Sequence, residues 1–137
     1  MTQGLILFAH GARDPAWAAP FEAVAARVRA ACPGWQVRLA YLEFMTPALP
    51  EAAGALAAAG CRQVALLPMF LGTGGHVRRD LPLLVDKLRQ AHPEVEFALH
   101  AAIGENAAVH SAMAAAISDV LRNTVAKTAQ GAPGGAP

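Results

Sequence analysis

The sequence predicts an α/β fold: an open four-stranded parallel sheet, strand order 2-1-3-4, with helices on both faces. Three observations carry this reading. Four short, mostly apolar runs recur along the chain, at Leu5–Ala9, Gln36–Tyr41, Val64–Leu67 and Val95–Leu99, as strands buried on both faces require. Each is followed by a segment whose apolar residues repeat at helical spacing. Strand–helix units in succession make right-handed crossovers, and the strand order follows from them.

The first strand, Leu5–Ala9, stops at His10-Gly11. Asp14-Pro15 then opens a helix, because Asp is a favoured N-cap and Pro suits the first helical position. Phe21, Val24, Val28 and Ala31 give that helix its stripe, and Pro33-Gly34 ends it. The second strand follows, with Glu43 just past its end. Thr46-Pro47 opens the second helix, whose first turn holds Pro50 and whose buried face is Leu49, Ala53 and Leu56. Gly60 is its C-terminal stop. The third strand runs into a glycine-rich loop, Pro68–Arg79, that holds His76. Asp80 caps the third helix, with the stripe Leu81, Leu84, Leu88 and Ala91, and His92-Pro93 closes it. After the fourth strand, Asn106 caps a last helix with the stripe Val109, Met113, Ile117, Val120 and Leu121. One domain is expected over residues 1–125. Residues 126–137, ending in GAPGGAP, are expected as a disordered Gly/Ala/Pro tail.

Composition bounds what the chain can do. Its 137 residues fit one domain. The hydrophobic fraction of 55% against 15% charged residues excludes general disorder, and 33 alanines imply close helix packing around a modest core. With 11 basic and 10 acidic residues the net charge is +1. No basic stripe marks a nucleic-acid partner. The longest apolar run, Val64–Leu71, falls well short of the roughly 20 residues that span a bilayer. Cys32 and Cys61 form no CxxC pair, and no export signal is visible, so both are expected as reduced thiols in a cytoplasmic protein.

In such sheets ligands bind past the carboxyl ends of the strands, in the crevice where the order reverses, here between strands one and three. His10 and His76 follow those two strands, and Glu43 follows the neighbouring strand two. Two imidazoles and a carboxylate make an open site for cobalt, iron, nickel or zinc. Each histidine taken singly also reads as an ordinary loop residue; their convergence at one sheet edge favours function. Glu43 lies in Leu42-Glu43-Phe44-Met45, where apolar neighbours are expected to desolvate it and raise its pKa towards proton transfer. Arg13, Arg78 and Arg79 flank the same edge, and Arg holds carboxylates bidentately. His100 ends strand four, further from the crevice. His92 and His110 read as structural. The loop GTGG lacks both the GK[ST] ending of a P-loop and the GxGxxG spacing.

Taken in order, His10-Gly11-Ala12-Arg13-Asp14-Pro15, Tyr41-Leu42-Glu43 with Pro47, Pro68-Met69-Phe70-Leu71-Gly72 leading to Gly75-His76-Val77, and Asp80-Leu81-Pro82 resemble the small class II tetrapyrrole chelatases. These are of the sirohydrochlorin cobaltochelatase or ferrochelatase (CbiX/SirB) type. The resemblance spans Leu5–Leu121 and implies a flavodoxin-like, chelatase-like fold. It implies insertion of a divalent metal into sirohydrochlorin, in cobalamin or siroheme biosynthesis. By position, His10 and His76 would hold the metal and draw protons, with Glu43 as ligand or proton acceptor. Arg13, Arg78 and Arg79 would anchor carboxylates, and Met69, Phe70 and Leu71 would lie on the macrocycle. Co2+, Fe2+ or Ni2+ enters as substrate, with no tightly bound cofactor. A symmetric homodimer is implied, each subunit supplying half of a cleft. A non-catalytic tetrapyrrole or metal carrier with the same fold is the alternative.

Overall fold

The computed structural model describes residues 2–72 and 74–131; for His76 and residues 129–131 only the backbone is described. Its strands are β1 (Gln3–Ala9), β2 (Trp35–Tyr41), β3 (Gln63–Pro68) and β4 (Glu96–Leu99), all parallel in the order β2-β1-β3-β4. Each matches an apolar run in the sequence to within two residues at either end. Leu7 of β1 lies in register with Leu39 of β2 and Leu67 of β3.

Alternation along the strands divides the core between two layers of helix. On one face Ile6, Phe8, Val64 and Leu66 pack with Leu49, Ala52, Ala53 and Leu56 of α2 (Leu49–Ala58), and with Leu81, Val85 and Leu88 of α3 (Gly75–Ala91). On the other, Leu7 and Val37 meet Ala25 of α1 (Ala19–Ala31). Full burial of each large side chain in these layers contributes about 1.5–3 kcal/mol. Ala9 and Tyr41 pack with Ala18, Trp17 and Phe21, where the strands end.

Three helices start away from their expected places, and α2 opens at Leu49 with Ala48 as its N-cap, not at Thr46-Pro47. Asp14 does act as a cap, its carboxylate accepting the Ala16 N–H at 2.9 Å, but what it opens is a 3-10 turn, Pro15–Ala18. Pro20 sits in the first turn of α1, where the N–H it lacks has no partner to lose. Ala25, fully buried, takes the central place in the stripe, and Val24 is 40% exposed. α3 starts at Gly75, with Gly74 as N-cap, not at Asp80. The reason is Val77, which adds one more apolar turn to the helix and packs against the core, so Pro82 is carried inside it.

The chain divides after Gly104 into two units. The second contains α4 (Ala107–Gly131). Asn106 opens this helix as expected, its side-chain oxygen accepting the Ala108 N–H at 2.8 Å. Val109 is half-buried, while Met113, Ile117, Val120 and Leu121 are exposed. The helix continues through residues 126–131, where a tail was expected to begin. Ala126, Lys127, Ala129 and Gln130 are good helix formers and extend it. Residues 132–137, the rest of the expected tail, lie outside the described residues. Among the described residues no helix is long and apolar enough to cross a membrane. Cys32 is exposed and Cys61 buried, both as free thiols.

Candidate functional site at the carboxyl edge of the sheet

Backbone hydrogen bonds draw the ends of three strands together. Leu42 N–H donates to the Ala9 carbonyl at 2.9 Å, Glu43 N–H to the His10 carbonyl at 3.1 Å, and Met69 N–H to the Phe8 carbonyl at 2.7 Å. The sheet ladder thus continues one step beyond β1 and β2, and it ends on His10 and Glu43. Gly11 makes this approach possible. Its φ is +87°, and a Cβ there would stand 1.9 Å from the Glu43 carbonyl oxygen. Only glycine meets both demands.

His10 is exposed, but its orientation is defined. Its ring lies against Phe70, with centroids 4.2 Å apart and planes inclined at 32°. Phe70 is only 3% exposed and meets Phe8 edge-on at 6.1 Å. The segment around Phe70 is fixed from behind. Gly104 N–H donates to the Phe70 carbonyl at 2.9 Å, and a Cβ on Gly104 would fall 2.0 Å from the Leu71 carbonyl oxygen. Of the three residues expected on a macrocycle, Phe70 is therefore turned inward beneath His10. Met69 is half-buried on the α1 side of the sheet, and Leu71 is 69% exposed.

Glu43 is exposed, as are its neighbours Leu42 (43%) and Phe44 (58%). The desolvation expected from the apolar setting is not found, because those side chains point into solvent and do not enclose the carboxylate. Phe44 has a φ of +65°. Met45 N–H donates to the Glu43 carbonyl at 2.8 Å, which closes a γ-turn of the rare, strained hand around Phe44. The Arg13 guanidinium carbon lies 4.9 Å from the centroid of the Phe44 ring. The sequence carries no signal for this pair: nothing local marks a non-glycine residue for positive φ, and the two side chains meet from different loops.

His76 falls in the first turn of α3, beyond β3, at the same edge as His10; its side chain lies outside the described residues. Arg78 and Arg79 are exposed in that turn, and the Arg78 N–H bonds the Gly74 carbonyl at 3.0 Å. Among the described side chains no three His, Cys, Asp or Glu groups converge on a metal position. His100 stands apart from this edge, lining a hollow of about 320 Å³ with Trp35, Ala65 and Ala98. His92 lies at the opposite end of α3, 3.8 Å from the Glu94 carboxylate.

The fold has known counterparts. The family model CbiX matches residues 4–120. A Saccharolobus solfataricus protein named sirohydrochlorin cobaltochelatase is 29% identical over 109 residues, covering 74% of this chain and 82% of its own. One of the same name from Methanococcus aeolicus is 28% identical over 83 residues, 61% of this chain and 58% of its own length. The chain thus spans less than two thirds of that second relative. A solved CbiX protein from Marinobacter aquaeolei VT8 superposes with a TM-score of 0.79 at 28% identity, covering 88% of this chain and 98% of that one. The sirohydrochlorin chelatase SirB of Bacillus subtilis subspecies spizizenii, solved with cobalt, shares the fold at a TM-score of 0.68 and 20% identity. It covers 75% of this chain, and this chain covers 44% of it. A match running from β1 through all four strands and into α4 makes this chain a member of the CbiX family.

Proposed function

We propose that the protein is a sirohydrochlorin chelatase that inserts a divalent metal, one of cobalt, iron or nickel, in cobalamin or siroheme biosynthesis. The observation that carries this reading is the pairing of His10 with Glu43 through the 3.1 Å backbone bond at the end of β1, with His76 opening α3 at the same edge. The family membership and the names of the relatives support the same chemistry.

Insertion exchanges two pyrrole N–H protons for one M2+ ion. The reaction needs a weakly held, partly dehydrated metal and a base working near neutral pH, and imidazole supplies both. His10 and His76 hold the incoming ion and accept protons, and Glu43 serves as third ligand or as the group that passes protons to water. Solvent reaches His10 and Glu43 directly, so released protons have a short exit. Arg13, Arg78 and Arg79 anchor the carboxylates of the macrocycle. Leu71 supplies the apolar contact to its face, since Phe70 is committed to His10. The metal is a substrate and no resident cofactor is required. Two copies of the chain form the working cleft, and the free thiols of Cys32 and Cys61 suit the cytoplasm.

Anaerobic absorbance of sirohydrochlorin with Co2+, Fe2+ or Ni2+ tests the reading. Conversion faster than the protein-free control, lost in His10→Ala and in His76→Ala, is the expected result. Wild-type rates in both variants would overturn the site. Tight macrocycle binding without acceleration by any metal would make the protein a carrier.

A further inference from the structure

We propose that Phe44 is a positioning residue for substrate recognition: its ring holds Arg13 ready to bind a peripheral carboxylate of the macrocycle. The inference rests on the functional reading above and gives Phe44 a role in it.

Phe44 occupies a backbone conformation that suits glycine, at φ +65° inside the γ-turn closed by Met45 N–H and the Glu43 carbonyl. A large side chain persists in such a conformation only when its surroundings over-determine it, and such outliers cluster at ligand sites. Core packing does not account for it here. The ring is 58% exposed and belongs to none of the three hydrophobic clusters of the described residues. Its ring faces the Arg13 guanidinium, whose carbon lies 4.9 Å from the ring centroid.

Arg13 is exposed, and among the described residues it makes no hydrogen bond or ion pair. A guanidinium resting on an aromatic face keeps its N–H groups for a planar anion, because the ring attracts the cation without consuming a donor. The contact also restricts a long, otherwise mobile side chain before the ligand arrives, so less freedom is lost on binding. The γ-turn that holds Phe44 closes on the carbonyl of Glu43, whose own N–H is bonded to His10 at 3.1 Å. The carboxylate anchor is thereby fixed relative to the two groups that handle metal and protons. A flat polycarboxylate held at its rim by Arg13 would present its nitrogens to that pair at a constant offset.

The test measures Co2+ insertion kinetics and sirohydrochlorin binding for wild type, Phe44→Leu, Phe44→Tyr, Phe44→Gly, Arg13→Ala and the double variant Phe44→Leu/Arg13→Ala. Phe44→Leu and Arg13→Ala are each expected to raise KM about tenfold, the scale of one charge-assisted contact, with kcat almost unchanged. The double variant should be no worse than Arg13→Ala alone, and Phe44→Tyr should restore wild-type KM. Phe44→Gly accepts the positive φ without strain, so it should raise KM while the denaturation midpoint holds or rises. Binding of a methyl-esterified macrocycle should be the same in wild type and all variants. Unchanged KM in Phe44→Leu and Phe44→Gly, additive losses in the double variant, or a fall in kcat alone would each overturn the proposal. A wild-type protein that neither binds nor metallates sirohydrochlorin would instead overturn the functional reading, and the role of Phe44 with it.

Discussion

Gly11 shows how much of the site depends on one missing methyl group. Its φ of +87° and the 1.9 Å that a Cβ would leave to the Glu43 carbonyl oxygen act together. Gly11→Ala must therefore either strain the turn or push Glu43 away from His10. The left-handed conformation alone costs an L-residue about 1–2 kcal/mol, and displacement of the loop adds to it. The expected result is a clear fall in the urea midpoint together with loss of most insertion activity. Gly34→Ala is the control, since nothing lies within 4 Å of a Cβ there; its unfolding free energy should stay within about 0.5 kcal/mol of wild type. Unaltered activity in Gly11→Ala would detach the Gly11–Glu43 contact from function. Tyr41 offers a different residue-scale test. Burial first, and the nearby Glu22 carboxylate second, hold its phenol above the usual pKa of 10.0. Because the folded-state value is raised, the native fold is favoured by this group below about pH 10, and that favour is lost as pH rises through the folded value. It is the single tyrosine of the chain, so tyrosinate absorbance reports on it alone. Its titration midpoint should lie higher in the native protein than in urea, and Tyr41→Phe should flatten the alkaline loss of stability. Coincident midpoints would show that the phenol is not desolvated. At this scale the sequence disclosed His10 and Glu43, because a rule of topology places residues after strands. It did not disclose the Phe70 ring under His10 or the Phe44 turn, which arise from contacts between segments distant in sequence.

At the scale of elements, legibility followed the strength of the physical constraint. Strands buried on both faces cannot alternate polar and apolar residues, so β1 and β3 stand out as apolar runs and were placed to within two residues. Helix starts were harder because proline reads the same way at a first helical position and inside a helix. Pro15 and Pro20 divide the first helical segment into a 3-10 turn and α1, whereas Pro82 is tolerated within α3 because Val77, Leu81 and Val85 anchor both sides of it. α2 carries an unforced weakness. Gly54 lies inside that helix, and a Cβ added to it would meet nothing within 4 Å. Glycine in a helix interior is less favourable than alanine by about 0.5–1 kcal/mol. Gly54→Ala should therefore stabilise the protein by that amount and raise the thermal midpoint by about 2–5 °C, with insertion rates unchanged because α2 carries no site residue. A lowered midpoint would reveal a demand for close approach at Gly54 that arises only in an assembly.

At the scale of the whole molecule, the exposure of the site is the property that needs a physical answer. His10, Arg13, Glu43, Phe44 and Leu71 are all exposed on one open edge of the sheet. A metal entering a macrocycle must shed water, and one open edge leaves the far face of the macrocycle in solvent. The net charge of +1 supplies little long-range attraction for a polyanion, so binding must come from a surface that encloses it. A second copy related by a twofold axis is the simplest such wall. The expected outcome is a dimer by sedimentation equilibrium, with a per-subunit insertion rate that holds at high protein concentration and falls on dilution in step with dissociation. Mixing in excess His10→Ala subunits should then depress the wild-type rate, because heterodimers replace active homodimers. A monomer at every concentration with an undiminished per-subunit rate would show that one edge suffices, and that Leu71 and the three arginines hold the macrocycle without a partner.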